Sequence, residues 1–323
     1  MSSCPDHLEP LASEDFLQAL LSSPRAGSEK ILAFYDHRAR AICKDPRLLL
    51  IPLDDHMCHR GDGLFESICF RDRRIFALQP HMNRLADGAR ALGINPPVPF
   101  DRIPELVCDV ARASGQDHGD LRIFLTRGPG GFGISPADCP VSGLYIVALA
   151  SHLPNPEIYR KGLTAFGSDY PPKQEFLAKI KNTNYLPNVL MAVEAINRGR
   201  DLAITFDEKG HMGEAAIANV AIVDKHGNLR SPELKRVLPG TTLLAALDIA
   251  AEKMRVELGP IHREEIFHAR EMLLFTSSTL CVAITHFDDR AIGQGRDAGV
   301  PGPVALWLKD RLLDYMLSTG TPF

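Results

Sequence analysis

The residues of this chain best suited to chemistry fall in four separated segments. One runs Ile51-Pro52-Leu53-Asp54-Asp55-His56-Met57-Cys58-His59-Arg60-Gly61-Asp62-Gly63-Leu64-Phe65-Glu66, and His81-Met82-Asn83-Arg84-Leu85 follows it. The third joins Lys181-Asn182-Thr183-Asn184-Tyr185-Leu186-Pro187-Asn188 to Gly213-Glu214 and Asn219. The fourth pairs Leu238-Pro239-Gly240-Thr241-Thr242 with Thr276-Ser277-Ser278-Thr279. A lysine amine is a nucleophile toward an aldehyde once it is neutral, and burial or nearby cations make it so. The planar fork of an arginine such as Arg84 suits a fixed anion. Gly240-Thr241-Thr242 stands before a helix-like run, so unpaired N–H groups there can face an anion.

Each of these residues also has an ordinary structural reading. Lys179 is two positions from Lys181 and shares its face if the segment is extended. Arg84 can be a helix-face ion pair, and Glu214 a solvated carboxylate near a turn. The threonines and serines can be caps or turn residues, and Phe65 and Tyr185 can be core aromatics.

One further pattern, Gly128-Pro129-Gly130-Gly131-Phe132-Gly133, formally satisfies G-x-G-x-x-G. A dinucleotide fingerprint must open a helix whose N-terminus faces the pyrophosphate, whereas this run leads into Ile134-Ser135-Pro136 and Cys139-Pro140. It reads as a loop whose glycines permit positive φ or close approach to a ligand.

Periodicity and punctuation predict the elements that must position these groups. A polar helical extension is expected over residues 1–30, then a hairpin of Leu64 to Phe70 and Ile75 to Leu78 around Arg71-Asp72-Arg73-Arg74. Helices follow at about 80–93, where Met82, Leu85, Ala89 and Leu92 recur every three or four residues before Gly93, and at 101–114. Strands at Leu121 to Thr126 and Leu144 to Leu149 close a small α/β domain, 31–150. A linker at 151–157, with two prolines, leads to a larger domain, 158–323. There strand-like runs at Leu163 to Gly167, Leu202 to Phe206 and Ala218 to Val223 are interspersed with helices at about 186–198, 242–256 and 303–317. This order predicts a mixed α/β fold and argues against a simple doubly wound parallel sheet.

With 323 residues, 45% of them hydrophobic, the chain can bury more than one core, and a formal charge of −4 with mixed signs offers no cationic field for nucleic acid or membrane. No stretch reaches the roughly 18 to 20 apolar residues that cross a bilayer. Seven scattered cysteines without a C-x-x-C pair read as reduced thiols, with neither a disulfide framework nor a metal site. A cytoplasmic protein acting on small molecules is expected.

Taken together and in order, the four segments resemble the class IV, or fold-type IV, aminotransferases: branched-chain aminotransferases, D-amino-acid aminotransferases and aminodeoxychorismate lyases. The similarity is closest to plant plastid D-amino-acid transaminase-like proteins, at PLDDHM-HRG, the glycine loop, K-x-x-NYLPN and the NVA segment. The resemblance implies pyridoxal 5'-phosphate as cofactor, a small α/β domain, a larger pseudo-barrel domain and a homodimer. It makes Lys181 the catalytic lysine that holds the cofactor as a Schiff base. It assigns Glu214 to the pyridine nitrogen, Tyr185 to the phenolic oxygen, and Arg84, Thr241, Thr242, Ser277 and Ser278 to the phosphate, with Asn219 beside them. Phe65, Arg122, Phe132 and Thr279 fall on the substrate side.

The function implied is exchange of an amino group between an amino acid, D-amino acids favoured, and a 2-oxo acid. The spacing of three from Lys181 to Asn184 matches D-amino-acid aminotransferases and lyases. Phe132, however, replaces the arginine many of them carry, and Arg122 falls where branched-chain enzymes place one. Branched-chain L-aminotransferase, aminodeoxychorismate lyase and a catalytically silent binding protein on the same fold therefore stay open.

Overall fold

In the computed structural model, which describes residues 8–323, two sheets organise the chain. The first is antiparallel throughout, in the order Thr321–Pro322, Arg74–Ile75, Gly63–Arg71, Gly119–Thr126, Gly143–Leu149, Ile31–Asp36, Ala41–Cys43. Because successive side chains on a strand point to opposite faces, Leu64, Ile68 and Phe70 pack with Leu121, Ile123 and Leu125 beneath the helices Leu78–Leu92 and Ile103–Ser114. Phe65, Ser67, Cys69 and Arg71 therefore face the other way, toward the second sheet.

That second sheet has the order Val256–Leu258, Leu229–Ser231, Asn219–Val223, Glu271–Thr276, Leu280–Phe287, Leu163–Gly167, Leu202–Phe206, Met212–Ala215, with Arg290–Ala291 paired beside Leu280–Phe287. Three of its pairings are parallel. Leu273 and Phe275 pack under the helices Thr241–Ala251 and Pro303–Thr319, while Met272 and Leu274 fill a core on the opposite face. Strands covered on both sides read as continuous apolar runs rather than alternating ones. Glu271–Thr276 and Leu280–Phe287, at the centre of this sheet, were for that reason not predicted.

Most predicted elements are present with small shifts at their ends. Ala77 takes a left-handed φ of 48°, so the hairpin strand stops at Ile75 and Leu78 already begins the helix. The helix expected over 242–256 ends at Ala251, and the chain turns into the strand Val256–Leu258. In the expected N-terminal extension only Ser13–Ser22 is α-helical, and it buries no side chain; residues 1–7 of that extension lie outside the described residues. The strand Ile31–Asp36 and the short helix His56–Arg60 were also unforeseen. No helix among the described residues is long and apolar enough to cross a membrane.

Candidate active site

The Lys181 segment is fastened to the strand Gly63–Arg71 by backbone. The Phe65 amide donates to the Lys181 carbonyl at 3.0 Å, and the Thr183 amide donates to the Gly63 carbonyl at 2.9 Å. Thr183 Oγ1 and Asn184 Nδ2 both donate to the Gly61 carbonyl, at 2.8 and 2.9 Å. A residue from the second half of the chain is thus seated on the first sheet. The segment is not extended before it: Glu175–Ala178 is a short helix, and Lys179 keeps helical dihedrals of −76° and −15°. Lys179 is consequently exposed and lines a different opening, beside Phe176 and Leu244.

Lys181 projects into a cavity of about 340 Å³ between the two sheets, lined also by Phe65, Arg84, Tyr185, Glu214, Asn219, Thr241, Thr242, Ser277 and Ser278. Its ammonium donates to the Tyr185 hydroxyl at 3.3 Å and lies 4.3 Å from the centre of the Phe65 ring. Burial first, then the Arg84 guanidinium, lower its pKa to about 8. The amine is therefore poised to be neutral close to physiological pH. Tyr185 meets Phe65 edge-on at 4.9 Å, and burial beside the Glu214 carboxylate pushes its phenol up to about 12, which keeps it a hydrogen-bond donor.

Glu214 lies on the strand Met212–Ala215, where the Thr205 hydroxyl bonds both its amide and its carbonyl. Its Oε2 accepts the Leu238 amide at 3.1 Å. Burial raises its pKa, opposed by that amide and by Lys173, Lys181 and Arg84. Sequence reasoning overlooked Lys173, whose ammonium stands 4.7 Å from the Tyr185 ring; its Pro171-Pro172 context carries no signal for such a role.

Around Thr241 the groups are suited to an anion. Arg84 donates through Nε and Nη2 to Glu66, at 2.9 and 2.6 Å, and through Nη1 to the Pro239 carbonyl at 3.0 Å. Three of its five N–H groups are so used, and Nη2 also stands 3.4 Å from His81 Nδ1. Thr241 and Thr242 begin the helix Thr241–Ala251, whose first amides lack intrahelical partners. Thr242 Oγ1 is buried without a partner. Asn219 Nδ2 donates to the Leu238 carbonyl at 2.8 Å, and a Cβ at Gly240 would strike Asn219 Oδ1, so only glycine lets this turn close.

Opposite, the carbonyls of the loop Ser277-Ser278-Thr279 are each taken by a side chain from elsewhere: the Cys69 thiol at 2.8 Å, Arg71 Nη2 at 2.5 Å and the Tyr159 hydroxyl at 2.9 Å. Cys69, Arg71 and Tyr159 were not foreseen as site residues. Their distance in sequence from the loop hides the contact.

The substrate-side expectations divide. Phe65, Ser67 and Cys69 lie opposite Phe124, Arg122 and Asp120 in register, and Phe65, Ser67, Asp120 and Arg122 line the cavity. Arg122 is only loosely held, by the Leu121 carbonyl at 3.2 Å and Asp120 at 3.9 Å. Phe132 stands outside the cavity, 65% exposed, on the glycine loop, and its ring is 5.5 Å from His59. That loop leads into the short turn Pro136–Asp138 and opens no α-helix, as expected of a run that is not a dinucleotide fingerprint. Thr279 is also apart, since its amide donates to Thr276 Oγ1 at 3.0 Å.

A family model described as Amino-transferase class IV matches residues 63–287. The chain belongs to this family. The class IV aminotransferase described here is 32% identical over 305 residues to "D-amino-acid transaminase, chloroplastic" of Arabidopsis thaliana, covering 92% of this chain and 79% of that one. It is 27% identical over 270 residues to a putative branched-chain-amino-acid aminotransferase of Methanocaldococcus jannaschii, covering 82% and 91%. Its fold matches a branched-chain amino acid aminotransferase of T.th. solved with pyridoxamine 5'-phosphate, with a TM-score of 0.82 at 23% identity, over 90% and 95% of the two chains.

Pyridoxal 5'-phosphate is the cofactor of this aminotransferase, and its cavity fits the group. An amine suited to the aldehyde, a half-buried carboxylate, a phenol and an anion seat with an unpartnered hydroxyl at Thr242 share one space.

Proposed function

We propose that this aminotransferase moves an amino group between an amino acid, D-amino acids preferred, and a 2-oxo acid, with Lys181 as its catalytic residue. The observation that carries the reading is the Lys181 amine, its pKa lowered to about 8, in the same space that also holds Glu214, Tyr185 and the start of the helix Thr241–Ala251. Bound pyridoxal phosphate supplies a sink for the electron pair released when the substrate Cα–H bond breaks. Lys181 takes the proton from that carbon and returns it on the other side of the exchange. Glu214 holds a proton at the pyridine nitrogen, Tyr185 donates to the ring oxygen, and Asn219 steadies the turn at Gly240. Arg84, Thr241, Thr242, Ser277 and Ser278 bind the phosphate.

Arg122 and Ser67 form the polar side where a substrate carboxylate docks. The likeness to the Arabidopsis D-amino-acid transaminase supports the stereochemical preference. A branched-chain L-aminotransferase is the second reading, favoured by Arg122 facing the cavity. Half-reactions of the holoenzyme with paired D- and L-amino acids, followed by cofactor absorbance, decide between them: faster turnover of the D-enantiomers supports the first, and the reverse order overturns it.

The assembly belongs to the same proposal: a homodimer in which the partner's glycine loop completes the pocket. Phe132 and Ile134 on that loop, and Leu186, Val189, Val193 and Ile196 along one face of the helix Leu186–Arg198, are exposed apolar side chains that association would cover. Sedimentation showing a fully active monomer would overturn it. A cytoplasmic location is supported by the six described cysteines, all unpaired.

A further inference from the structure

Glu66, His81 and Thr241 form a chain of hydrogen bonds whose donor order is fixed at one end only. The Arg84 guanidinium holds Glu66 ionised, with its pKa down at about 2, so Glu66 only accepts. His81 Nδ1, 2.7 Å from Glu66 Oε2, must then carry a hydrogen, because two bare acceptors at that distance repel. At the other end His81 Nε2 lies 3.0 Å from Thr241 Oγ1, and two arrangements satisfy the pair. A neutral imidazole accepts the Thr241 proton and leaves the hydroxyl's lone pairs toward the cavity. A cationic imidazole donates to Thr241, whose own O–H is then free to donate into the cavity.

The charged groups acting on the ring are Glu66 from the strand Gly63–Arg71, Arg84 from His81's own helix and Lys181 from the segment fastened to that strand; burial and the two cations together outweigh Glu66 and disfavour the cation. A doubly charged anion at the start of the helix Thr241–Ala251 acts against this balance. It favours positive charge on the ring and needs donors, not lone pairs, from Thr241.

We propose that an anion seated at Thr241 and Thr242 is bound together with one proton, taken up by His81, which thereby turns the Thr241 hydroxyl from acceptor to donor toward the anion. The inference rests on the reading that places the cofactor phosphate at these threonines. The proton comes from solvent through the cavity: Thr241 passes its hydrogen to Nε2 and receives another, so the net change is one new N–H bond on the imidazole. His81 is a positioning residue, since it touches the anion only through Thr241.

The test uses the cofactor-free full chain and sulfate, which near neutral pH stays a dianion and exchanges no protons of its own. Calorimetric titration in two buffers of different ionisation heat counts the protons taken up. Imidazole ¹⁵N spectra read the ring directly, with the His81 signals identified by their loss in whichever of His81→Asn or His81→Gln folds. Asn is chosen first because its amide can keep the donor to Glu66 while releasing Thr241.

The expected result is close to one proton per site, with Nε2 changing from bare to protonated as sulfate saturates. The variant should take up no proton and bind sulfate about tenfold more weakly. Sulfate bound with no proton uptake and with Nε2 still bare would overturn the proposal alone. Sulfate binding unchanged in Thr242→Val would place the anion elsewhere and overturn both the proposal and the reading beneath it.

Discussion

The Lys181 amine lies 3.3 Å from the Tyr185 hydroxyl, and Phe65 touches both, with the amine over its face and the phenol ring at its edge. Phe65 belongs to the first sheet, whereas Lys181 and Tyr185 come from the segment that leads into the helix Leu186–Arg198. The contact is maintained by the Phe65 amide and Lys181 carbonyl, so the lysine's position is set by backbone as well as by its side-chain packing.

With its pKa lowered from 10.5 to about 8, Lys181 favours the neutral amine in the folded state. At pH 7.5 roughly a quarter of the molecules carry a neutral amine, against on the order of a thousandth for an ordinary lysine. Covalent capture of pyridoxal phosphate by the cofactor-free protein should therefore accelerate with pH and level off above about 8. Stopped-flow absorbance checks this, and a rate still climbing tenfold per pH unit well beyond that value would show an unperturbed lysine.

Glu214→Gln preserves an acceptor for the Leu238 amide but cannot hold a proton on the pyridine nitrogen by charge. Cofactor affinity should change only a few-fold, while removal of the substrate α-proton should slow on the order of 10²-fold. Single-turnover measurements with an α-deuterated amino acid isolate that step. An unchanged rate removes Glu214 from the role.

Because Arg122 is only loosely partnered, it is free to meet a substrate carboxylate. Such a contact contributes about 1.5 to 3 kcal/mol in a partly dry pocket, or roughly ten- to more than hundredfold in kcat/KM. Arg122→Met should weaken glutamate and 2-oxoglutarate much more than alanine and pyruvate. Equal loss for all substrates assigns Arg122 to the α-carboxylate, and no change in a variant that melts normally makes it a structural strand residue.

Glu66 has a folded-state pKa of about 2 against an ordinary 4.5. Since the folded value is the lower one, its ion pair adds stability that is fully present above about pH 4.5 and is lost as pH falls toward 2. The contribution is at most ~3 kcal/mol. Glu66→Gln should lower the denaturation midpoint at neutral pH and flatten its fall between about pH 5 and 3.5. Parallel curves for the two proteins would contradict this.

What the sequence showed follows from how each residue does its work. Lys181, Glu214, Thr241 and Ser277 sit in local patterns with their own chemistry, and the family resemblance orders them. All four line one cavity. The helix Leu186–Arg198 was legible as a run of its own, and Gly199 caps it with a φ of 61°. The strands at the middle of the second sheet were hidden by burial on both faces. Cys69, Arg71 and Tyr159 were hidden differently, because each acts on a loop 120 or more residues away and none has a local motif. Glu66 and His81 were visible as residues of their motifs, but their hydrogen bond joins a strand to a helix and needs the fold to be seen.

The most direct test of the account is where the cofactor is attached. Borohydride reduction of the holoenzyme, followed by proteolysis and peptide mass mapping, should place a single pyridoxyl group on Lys181, and Lys181→Ala should carry none while still folding. A label on the exposed Lys179 or on the half-buried Lys173, or a covalently labelled Lys181→Ala, would contradict the assignment on which the mechanism stands.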